Sequence, residues 1–188
     1  MIAPSNLYGA SVDALGDFLP QFGIHTDFVK HINDLAEVES KIGPDTRAIF
    51  AETVANPSTE ILDIEPLSQL AHEHGIALIV DNTAPTPYLL RPIEFGADIV
   101  VHSTTKGITG HGNAIGGAVI DSGHLDWVNG RFPPPNSPHG SRSSAMIATV
   151  NGTVLPKDTA TRHSSSASAS NICARSARWP ARSMRIFP

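Results

Sequence analysis

The sequence has one cysteine and no long apolar run, and each of these shortages excludes a class of protein. The 188 residues include one cysteine, Cys173, which cannot form an internal disulfide. A disulfide-stabilised fold is therefore excluded, and a cytoplasmic location is favoured. No apolar run is long enough to span a bilayer, so we expect no membrane partner. Residues 1–6 lack the basic region and the apolar core of a signal peptide.

Charge is distributed unevenly along the chain. Residues 1–132 contain 17 acidic and 6 basic side chains, a balance of −11. Residues 133–188 contain one acidic and seven basic side chains, a balance of +6, in a sequence rich in Pro, Ser and Arg. We therefore predict a domain over residues 1–132 and an unmatched tail over residues 133–188.

Three explanations of the tail remain open: a disordered segment, a segment translated out of frame, and a basic segment that binds nucleic acid. The third is the weakest because the arginines lack interleaved aromatic residues, so we expect no nucleic-acid partner. Residues 146–155 predict one short hairpin around Asn151-Gly152. The rest of the tail lacks the periodicity needed to build a core.

Residues 1–132 alternate between helical and strand patterns. The strand patterns are continuously apolar, as in strands that are buried on both faces. We therefore predict an α/β fold with a mainly parallel sheet and flanking helices. The predicted strands are 26–29, 46–51, 76–80, 98–102 and 118–120; the predicted helices are 11–19, a helix from an Asn33 cap to Ile42, and 64–74, with a Pro-rich loop over 85–92 and a helical turn at 93–95.

Three polar residues end the predicted parallel strands: Glu52, Asp81 and Ser103. Because functional groups gather at the carboxyl ends of such strands, we expect these residues to share one edge of the sheet. Asp81 follows a strongly apolar strand, so its carboxylate must be paired or solvated. It either faces the ring nitrogen of a pyridine cofactor or serves as a turn or cap residue.

Lys106 is the candidate catalytic residue. No other lysine or arginine lies between Arg91 and Arg131. An amine in so uncharged a region can be desolvated and become nucleophilic, as Schiff-base lysines require. The alternative is an ordinary solvated surface lysine.

Other residues near these two can contribute to a cofactor site. Ser103 and Thr105 flank Lys106 at alternating positions and can donate hydroxyl groups to a phosphate. Tyr8 offers a flat ring for stacking, although such a residue is more often a packing residue. The glycine-rich stretch 107–117 lacks the nucleotide P-loop pattern. Histidines at positions i and i+2, as in His72-Glu73-His74, point to different faces of a helix, so we predict no metal site.

Four sequence blocks stand at residues 7–9, 52–57, 80–89 and 96–106. In order and spacing these blocks resemble the Cys/Met-metabolism enzymes that use pyridoxal 5′-phosphate. Among these enzymes, the stretches 109–112, 115–117 and 121–123 are most similar to O-acetylhomoserine sulfhydrylases. The resemblance covers about residues 2–132. The blocks are Leu7-Tyr8-Gly9, Glu52-Thr53-Val54-Ala55-Asn56-Pro57, Val80-Asp81-Asn82-Thr83 with Thr86-Pro87-Tyr88-Leu89, and Gly96 to Lys106.

The resemblance implies the large cofactor domain of a fold-type I enzyme, similar to that of aspartate aminotransferase. It implies that Lys106 forms a Schiff base with the cofactor and that Asp81 pairs with the pyridine nitrogen. Ser103 and Thr105 would contact the phosphate, and Tyr8 would stack on the ring. Asn56 would bind the ring-hydroxyl side of the cofactor or a substrate carboxylate.

The implied reaction is γ-replacement: O-acetylhomoserine reacts with sulfide or a thiol to give homocysteine or methionine and acetate. The substrate is a small amino acid, and the family implies a homo-oligomer. The sequence leaves two alternatives open: a cystathionine γ-synthase or methionine γ-lyase specificity, and a non-catalytic remnant, since family members are roughly twice as long. One departure from the family pattern is Gly107, which stands where an aromatic residue is usual.

Overall fold

A six-stranded sheet organises the described part of the chain. The computed structural model describes residues 1–127, 129, 131–132, 148–150 and 153–155. The strand order is β2-β1-β3-β4-β5-β6. The first five strands of this order run parallel to their neighbours, and β6 runs antiparallel to β5. The strands are β1 Ile2–Pro4, β2 Asp27–Val29, β3 Ala48–Glu52, β4 Ala77–Asp81, β5 Ile99–Ser103 and β6 Gly117–Asp121.

Helices connect the strands, so the predicted α/β class with a mainly parallel sheet is confirmed. The helical segment predicted over residues 11–19 is a continuous helical path of three types. The helices are α1 Gly9–Asp13, a π-helical segment Ala14–Phe18, a 3₁₀ segment Leu19–Phe22, α2 Leu35–Ser40, α3 Ile64–Glu73, α4 Thr86–Leu89 and a 3₁₀ turn Pro92–Phe95.

Two apolar cores lie on opposite faces of the sheet. Neighbouring residues of β3 point to opposite faces because side chains alternate along a strand. Ile49 belongs to the larger core, which includes residues from α2 and α3 such as Val38 and Leu67. Phe50 packs against the smaller core, which includes Leu15 of the first helical path. The sheet is therefore a middle layer, and its ends remain accessible to a site.

The structure corrects three local predictions. Asp34, and not Asn33, caps α2, because its side chain accepts hydrogen bonds from the backbone of Ala36 and Glu37. The Asn33 side chain instead accepts a hydrogen bond from the Asp63 backbone, at 2.9 Å. The Pro-rich loop contains the short helix α4, and β1 was not predicted at all.

The hairpin predicted within the tail is present as β7 Ala148–Val150 and β8 Thr153–Leu155, which pair antiparallel. The remaining tail residues, including Cys173, lie outside the described residues, so the boundary at residue 132 and the three explanations of the tail stay predictions. Among the described residues, no helix is both long enough and apolar enough to cross a membrane.

Candidate active site

The carboxyl ends of β3, β4 and β5 lie side by side. In the parallel register, Glu52 is opposite Asp81, and Asp81 is opposite Val101. Ser103 ends β5 two residues further along. Paired residues of neighbouring strands point to the same face of a sheet, so Glu52 and Asp81 share the face that Phe50 occupies. The edge predicted from the sequence therefore brings these polar residues together.

Glu52 connects this edge to Tyr8 and Asn56. One carboxylate oxygen, Oε1, accepts a hydrogen bond from the backbone N–H of Tyr8 at 2.9 Å. The other, Oε2, accepts one from the backbone N–H of Asn56 at 3.0 Å. Tyr8 is 52% exposed, and Asn56 is exposed as well. Both predicted cofactor contacts thus lie beside the end of β3 with surface available to a ligand.

Thr83 connects the end of β4 to the segment that carries the lysine. Its backbone N–H donates to Oδ1 of Asp81 at 2.8 Å, and its hydroxyl oxygen accepts the backbone N–H of Ser103 at 2.8 Å. The backbone N–H of Lys106 donates to the carbonyl of Ser103 at 3.2 Å. Lys106 itself is exposed. Short hydrogen bonds therefore link the predicted carboxylate to the turn that holds the predicted amine.

The Thr105 hydroxyl is engaged within the lysine loop. It donates to the Gly116 carbonyl at 3.3 Å and accepts the Gly116 backbone N–H at 3.0 Å. A hydroxyl has one hydrogen to donate. A contact with a phosphate would therefore require Thr105 to exchange its donation to Gly116 for one to the ligand.

Asn82 is a structural residue of the site that the sequence reading missed. It is fully buried. Its carbonyl oxygen accepts the hydroxyl of Thr53 at 3.0 Å, and its amide nitrogen donates to the carbonyls of Leu90 at 2.7 Å and Thr86 at 3.3 Å. These bonds fix the loop after β4. An amide directly after an apolar strand was the available signal.

Burial changes the acid–base behaviour of two groups near the edge. Burial raises the pKa of Glu52, the hydrogen bonds from Tyr8 and Asn56 lower it, and the nearby charge of Asp81 raises it further. Burial lowers the pKa of His102, while Asp81 and the backbone of Asn82 act in the opposite direction. The net effect is a lowered pKa, which favours the neutral form of the His102 imidazole.

Two buried polar atoms next to Ser103 have no hydrogen-bond partner among the described residues: Nδ1 of His102 and Oγ1 of Thr104. Unpaired buried polar atoms are costly, so ordered water or a polar group is expected at these two atoms. Because side chains alternate along β5, His102 points to the face opposite that of Ser103 and Asp81. A carboxylate, an amine, an aromatic ring and hydroxyl groups all occur at this one edge. This set of donors and acceptors fits an aldehyde cofactor that carries a phosphate.

Gly107, directly after Lys106, lies close to the side chain of Thr86. A side chain at Gly107 would place its Cβ 2.7 Å from the methyl group of Thr86. Thr86 has a φ of 63°, which is unusual for a β-branched residue. The glycine at position 107, where the family usually has an aromatic residue, therefore leaves space for the methyl group of Thr86.

His72, near the end of α3, and His74, which caps that end, are paired away from this edge. Nε2 of His72 lies 3.0 Å from both carboxylate oxygens of Asp98, and Nε2 of His74 lies 3.4 Å from Glu39. They have different partners, which agrees with the prediction that their spacing points them to different faces.

Comparison with known proteins identifies the family. The family model described as "Cys/Met metabolism PLP-dependent enzyme" matches residues 1–152. That match extends past residue 132, where the resemblance in motifs ends. A sulfhydrylase of Fusarium oxysporum f. sp. lycopersici is 47% identical over 147 residues, which are 74% of this chain and 34% of that protein. An O-acetyl-L-homoserine sulfhydrylase of Leptospira meyeri is 44% identical over 144 residues, 74% of this chain and 32% of that protein.

A solved structure shows the same similarity in three dimensions. It is an O-acetylhomoserine (thiol)-lyase from Campylobacter jejuni that contains N′-pyridoxyl-lysine-5′-monophosphate. Its TM-score is 0.67 at 38% identity, over 70% of this chain and 33% of that chain. The chain spans about a third of the length of the curated relatives that it matches. The family match over residues 1–152 nevertheless covers most of this sequence, and the chain belongs to the Cys/Met-metabolism family of PLP-dependent enzymes.

Proposed function

We propose that this chain contributes the cofactor-binding part of an enzyme that performs γ-replacement on O-acetylhomoserine. Sulfide or a thiol replaces acetate at Cγ, which gives homocysteine or methionine. The observation that carries the proposal is the common edge on which Asp81, Ser103 and the turn of Lys106 are joined by hydrogen bonds. Sulfhydrylases among the relatives support this reaction over the other reactions of the family.

The proposed site residues have distinct chemical roles. When bound, pyridoxal phosphate withdraws electrons from the carbon atom that loses its proton. Lys106 is the amine that would hold the cofactor's aldehyde. Once the substrate's amine had displaced it from that carbon, the freed Nζ would accept the proton from the substrate Cα. The carboxylate of Asp81 would keep the ring nitrogen protonated. The remaining contacts are proposed for Tyr8 by stacking and for Asn56 by hydrogen bonding.

The phosphate contacts are proposed for Ser103 and Thr105. Ser103 lies at the end of β5, and its backbone is fixed by Thr83. Thr105 can contribute after it releases the Gly116 carbonyl. Charge-assisted hydrogen bonds of this kind contribute about 1.5–3 kcal/mol each, so loss of either should weaken cofactor binding measurably.

A homo-oligomer that acts on a small amino-acid substrate is proposed on the family relationship. Large apolar side chains support it: Tyr88, Leu89 and Ile115 are 89%, 75% and 97% exposed. Exposed apolar groups of this size favour a protein interface. A cytoplasmic location, which the single cysteine favours, stays a prediction.

Borohydride reduction tests the cofactor proposal directly. The purified full chain is mixed with pyridoxal phosphate, reduced, digested and examined by mass spectrometry. We expect a pyridoxyl-phosphate adduct on Lys106. An adduct distributed over the exposed lysines Lys30 and Lys41, with none enriched at Lys106, would contradict the proposal.

A turnover assay with O-acetylhomoserine and sulfide tests the reaction. Formation of homocysteine and acetate by the chain would support it, and Lys106→Ala should abolish that formation. An adduct at Lys106 with no turnover would favour a cofactor-binding remnant. Formation of products by γ-elimination instead would favour a methionine γ-lyase specificity.

A further inference from the structure

The carboxylate of Glu52 joins two segments that are distant in the sequence. Tyr8 precedes helix α1, and Asn56 belongs to the loop after β3. Both backbone N–H groups donate to Glu52, one to each carboxylate oxygen, at 2.9 and 3.0 Å. Glu52 is 8% exposed, so these bonds form in a largely buried position.

A carboxylate matches the two N–H groups at this position, since each of its oxygens accepts one of them. It has two acceptor oxygens and no hydrogen, so it can accept both N–H groups at once. A glutamine has one acceptor oxygen and places an NH₂ group opposite the second N–H. A buried charge without partners would be costly, and here both oxygens have a donor.

Glu52 is also placed directly beside Asp81. The two residues are opposite each other in the parallel register of β3 and β4. Asp81 is held in turn by the backbone N–H of Thr83 at 2.8 Å. Glu52 therefore connects Tyr8 and Asn56 to the strand end beside Asp81, while the Asn6 side chain makes a second connection between the same segments by donating to Ser58 and Glu60.

We infer that Glu52 is a positioning residue that holds the Tyr8 and Asn56 segments beside Asp81, so that Tyr8, Asn56 and Asp81 can all contact one bound cofactor. This inference rests on the proposed function, in which these residues contact pyridoxal phosphate. Glu52 acts through the two backbone N–H groups and needs no contact with the cofactor. In the sequence, Glu52 marks the end of a predicted strand and the start of one block of the family resemblance.

Two variants of the full chain separate geometry from charge. Glu52→Gln removes the charge and one acceptor. Glu52→Asp keeps the charge beside Asp81 but shortens the side chain, so it cannot reach both N–H groups. Glu73→Gln is the matched control because it removes the same charge from an exposed position. Circular dichroism checks that each variant is folded, and Glu52→Asp replaces Glu52→Gln if the latter is not.

The first measurement is amide hydrogen exchange without cofactor, which does not depend on the proposed function. We expect exchange at Tyr8 and Asn56 to accelerate about tenfold or more in both Glu52 variants. The amides of Ile49 and Val80 in the central strands should keep their protection. Unchanged exchange at Tyr8 and Asn56 would overturn the inference.

The second measurement is titration with pyridoxal phosphate, followed by the visible absorption of the bound cofactor. We expect the Kd to rise about tenfold in both variants and the absorption band to shift, because the stacking and hydrogen-bonding groups have moved. The reduced adduct should still map to Lys106. Faster exchange with an unchanged Kd and band would show a purely structural role and overturn the positioning claim.

A wild-type Kd in Glu52→Asp together with weaker binding in Glu52→Gln would show that the charge of Glu52, and not its placement of the two segments, matters. This outcome too would overturn the claim. If wild-type chain forms no adduct at Lys106, the proposed function fails and the positioning role toward the cofactor fails with it. The exchange data would then still decide whether Glu52 holds the two segments. The two failures are therefore distinguishable.

Discussion

The hydroxyl oxygen of Thr83 accepts the backbone N–H of Ser103 at 2.8 Å and so ties the loop after β4 to the end of β5. The same residue donates its own N–H to Asp81. Thr83 therefore couples the predicted carboxylate to the strand that leads into Lys106. The first prediction follows from this connection.

Thr83→Val should lower the free energy of unfolding by about 1 kcal/mol, because the Ser103 N–H loses its acceptor. Thr83→Ser keeps the hydroxyl and should lie close to wild type. Urea denaturation at neutral pH measures both. Equal stability of the Val and Ser variants would show that the hydrogen bond contributes nothing.

Asp81→Asn should weaken the binding of pyridoxal phosphate by at least about tenfold, because the neutral amide cannot hold the ring nitrogen protonated. The amide oxygen can still accept the N–H of Thr83, so the fold should survive. Titration by absorbance measures the Kd. The control is Asp45→Asn, since the Asp45 side chain is fully exposed; equal Kd values for the two variants would remove Asp81 from the site.

Gly96→Ala should destabilise the protein far more than Gly23→Ala. Both glycines have a positive φ, 98° and 77°, which costs an alanine roughly 1–2 kcal/mol. A Cβ at Gly96 would also collide with the side chain of Ser68, whereas nothing lies near a Cβ at Gly23. We expect an additional loss of about 1–3 kcal/mol at Gly96, measured by urea denaturation. Similar losses at the two positions would contradict the collision.

Gly107→Ala should cost about 1–3 kcal/mol, because the new Cβ meets the Thr86 methyl group at 2.7 Å. Thr86→Gly removes that methyl group and relieves the strained φ of 63°. In the double variant, the cost of Gly107→Ala should therefore largely disappear. A double-mutant cycle measures the coupling, and additive effects of the two changes would rule out the steric pairing.

His102 should make the stability fall as the solution is acidified. Burial lowers the pKa of the folded imidazole below its usual 6.5. Between the two pKa values, the unfolded chain binds more protons than the folded chain, so the stability decreases as the pH falls through this range. The comparison is the free energy of unfolding at pH about 7.5 and about 5.5.

His102→Gln should reduce that pH dependence, and the exposed His25→Gln should leave it unchanged. The difference between the variants isolates the buried imidazole from the other histidines. The same slope in all three proteins would show that His102 titrates normally in the folded state.

The sequence predicted the sheet well because its strands are continuous apolar runs. Ile76–Val80 must be buried on both faces, and the structure places β4 at Ala77–Asp81 in the middle of the sheet. Gly75, with a φ of 65°, ends α3 as its position after the helix predicts. Local patterns failed where two candidates compete, as at the cap of α2, where Asp34 and Asn33 are adjacent and only Asp34 reaches the free N–H groups.

Asp81 and Ser103 were candidates from the sequence because each follows an apolar run, and Lys106 was a candidate because no other lysine or arginine lies between Arg91 and Arg131. Their hydrogen-bonded connections were not identifiable. The link from Glu52 to Tyr8 spans 44 positions, and that from Thr83 to Ser103 spans 20. No local pattern encodes such distances.

The sequence by itself determined five of the six strands of the sheet and which residues are candidates for the chemistry, since periodicity and residue type are properties of neighbouring positions. Tertiary structure alone decided that Glu52 stands opposite Asp81 and accepts the N–H groups of two remote segments. The physical reason is strand register. The parallel pairing of β3 with β4 is fixed by how their apolar side chains pack in three dimensions, and a shift of one residue would turn the carboxylates to the opposite face.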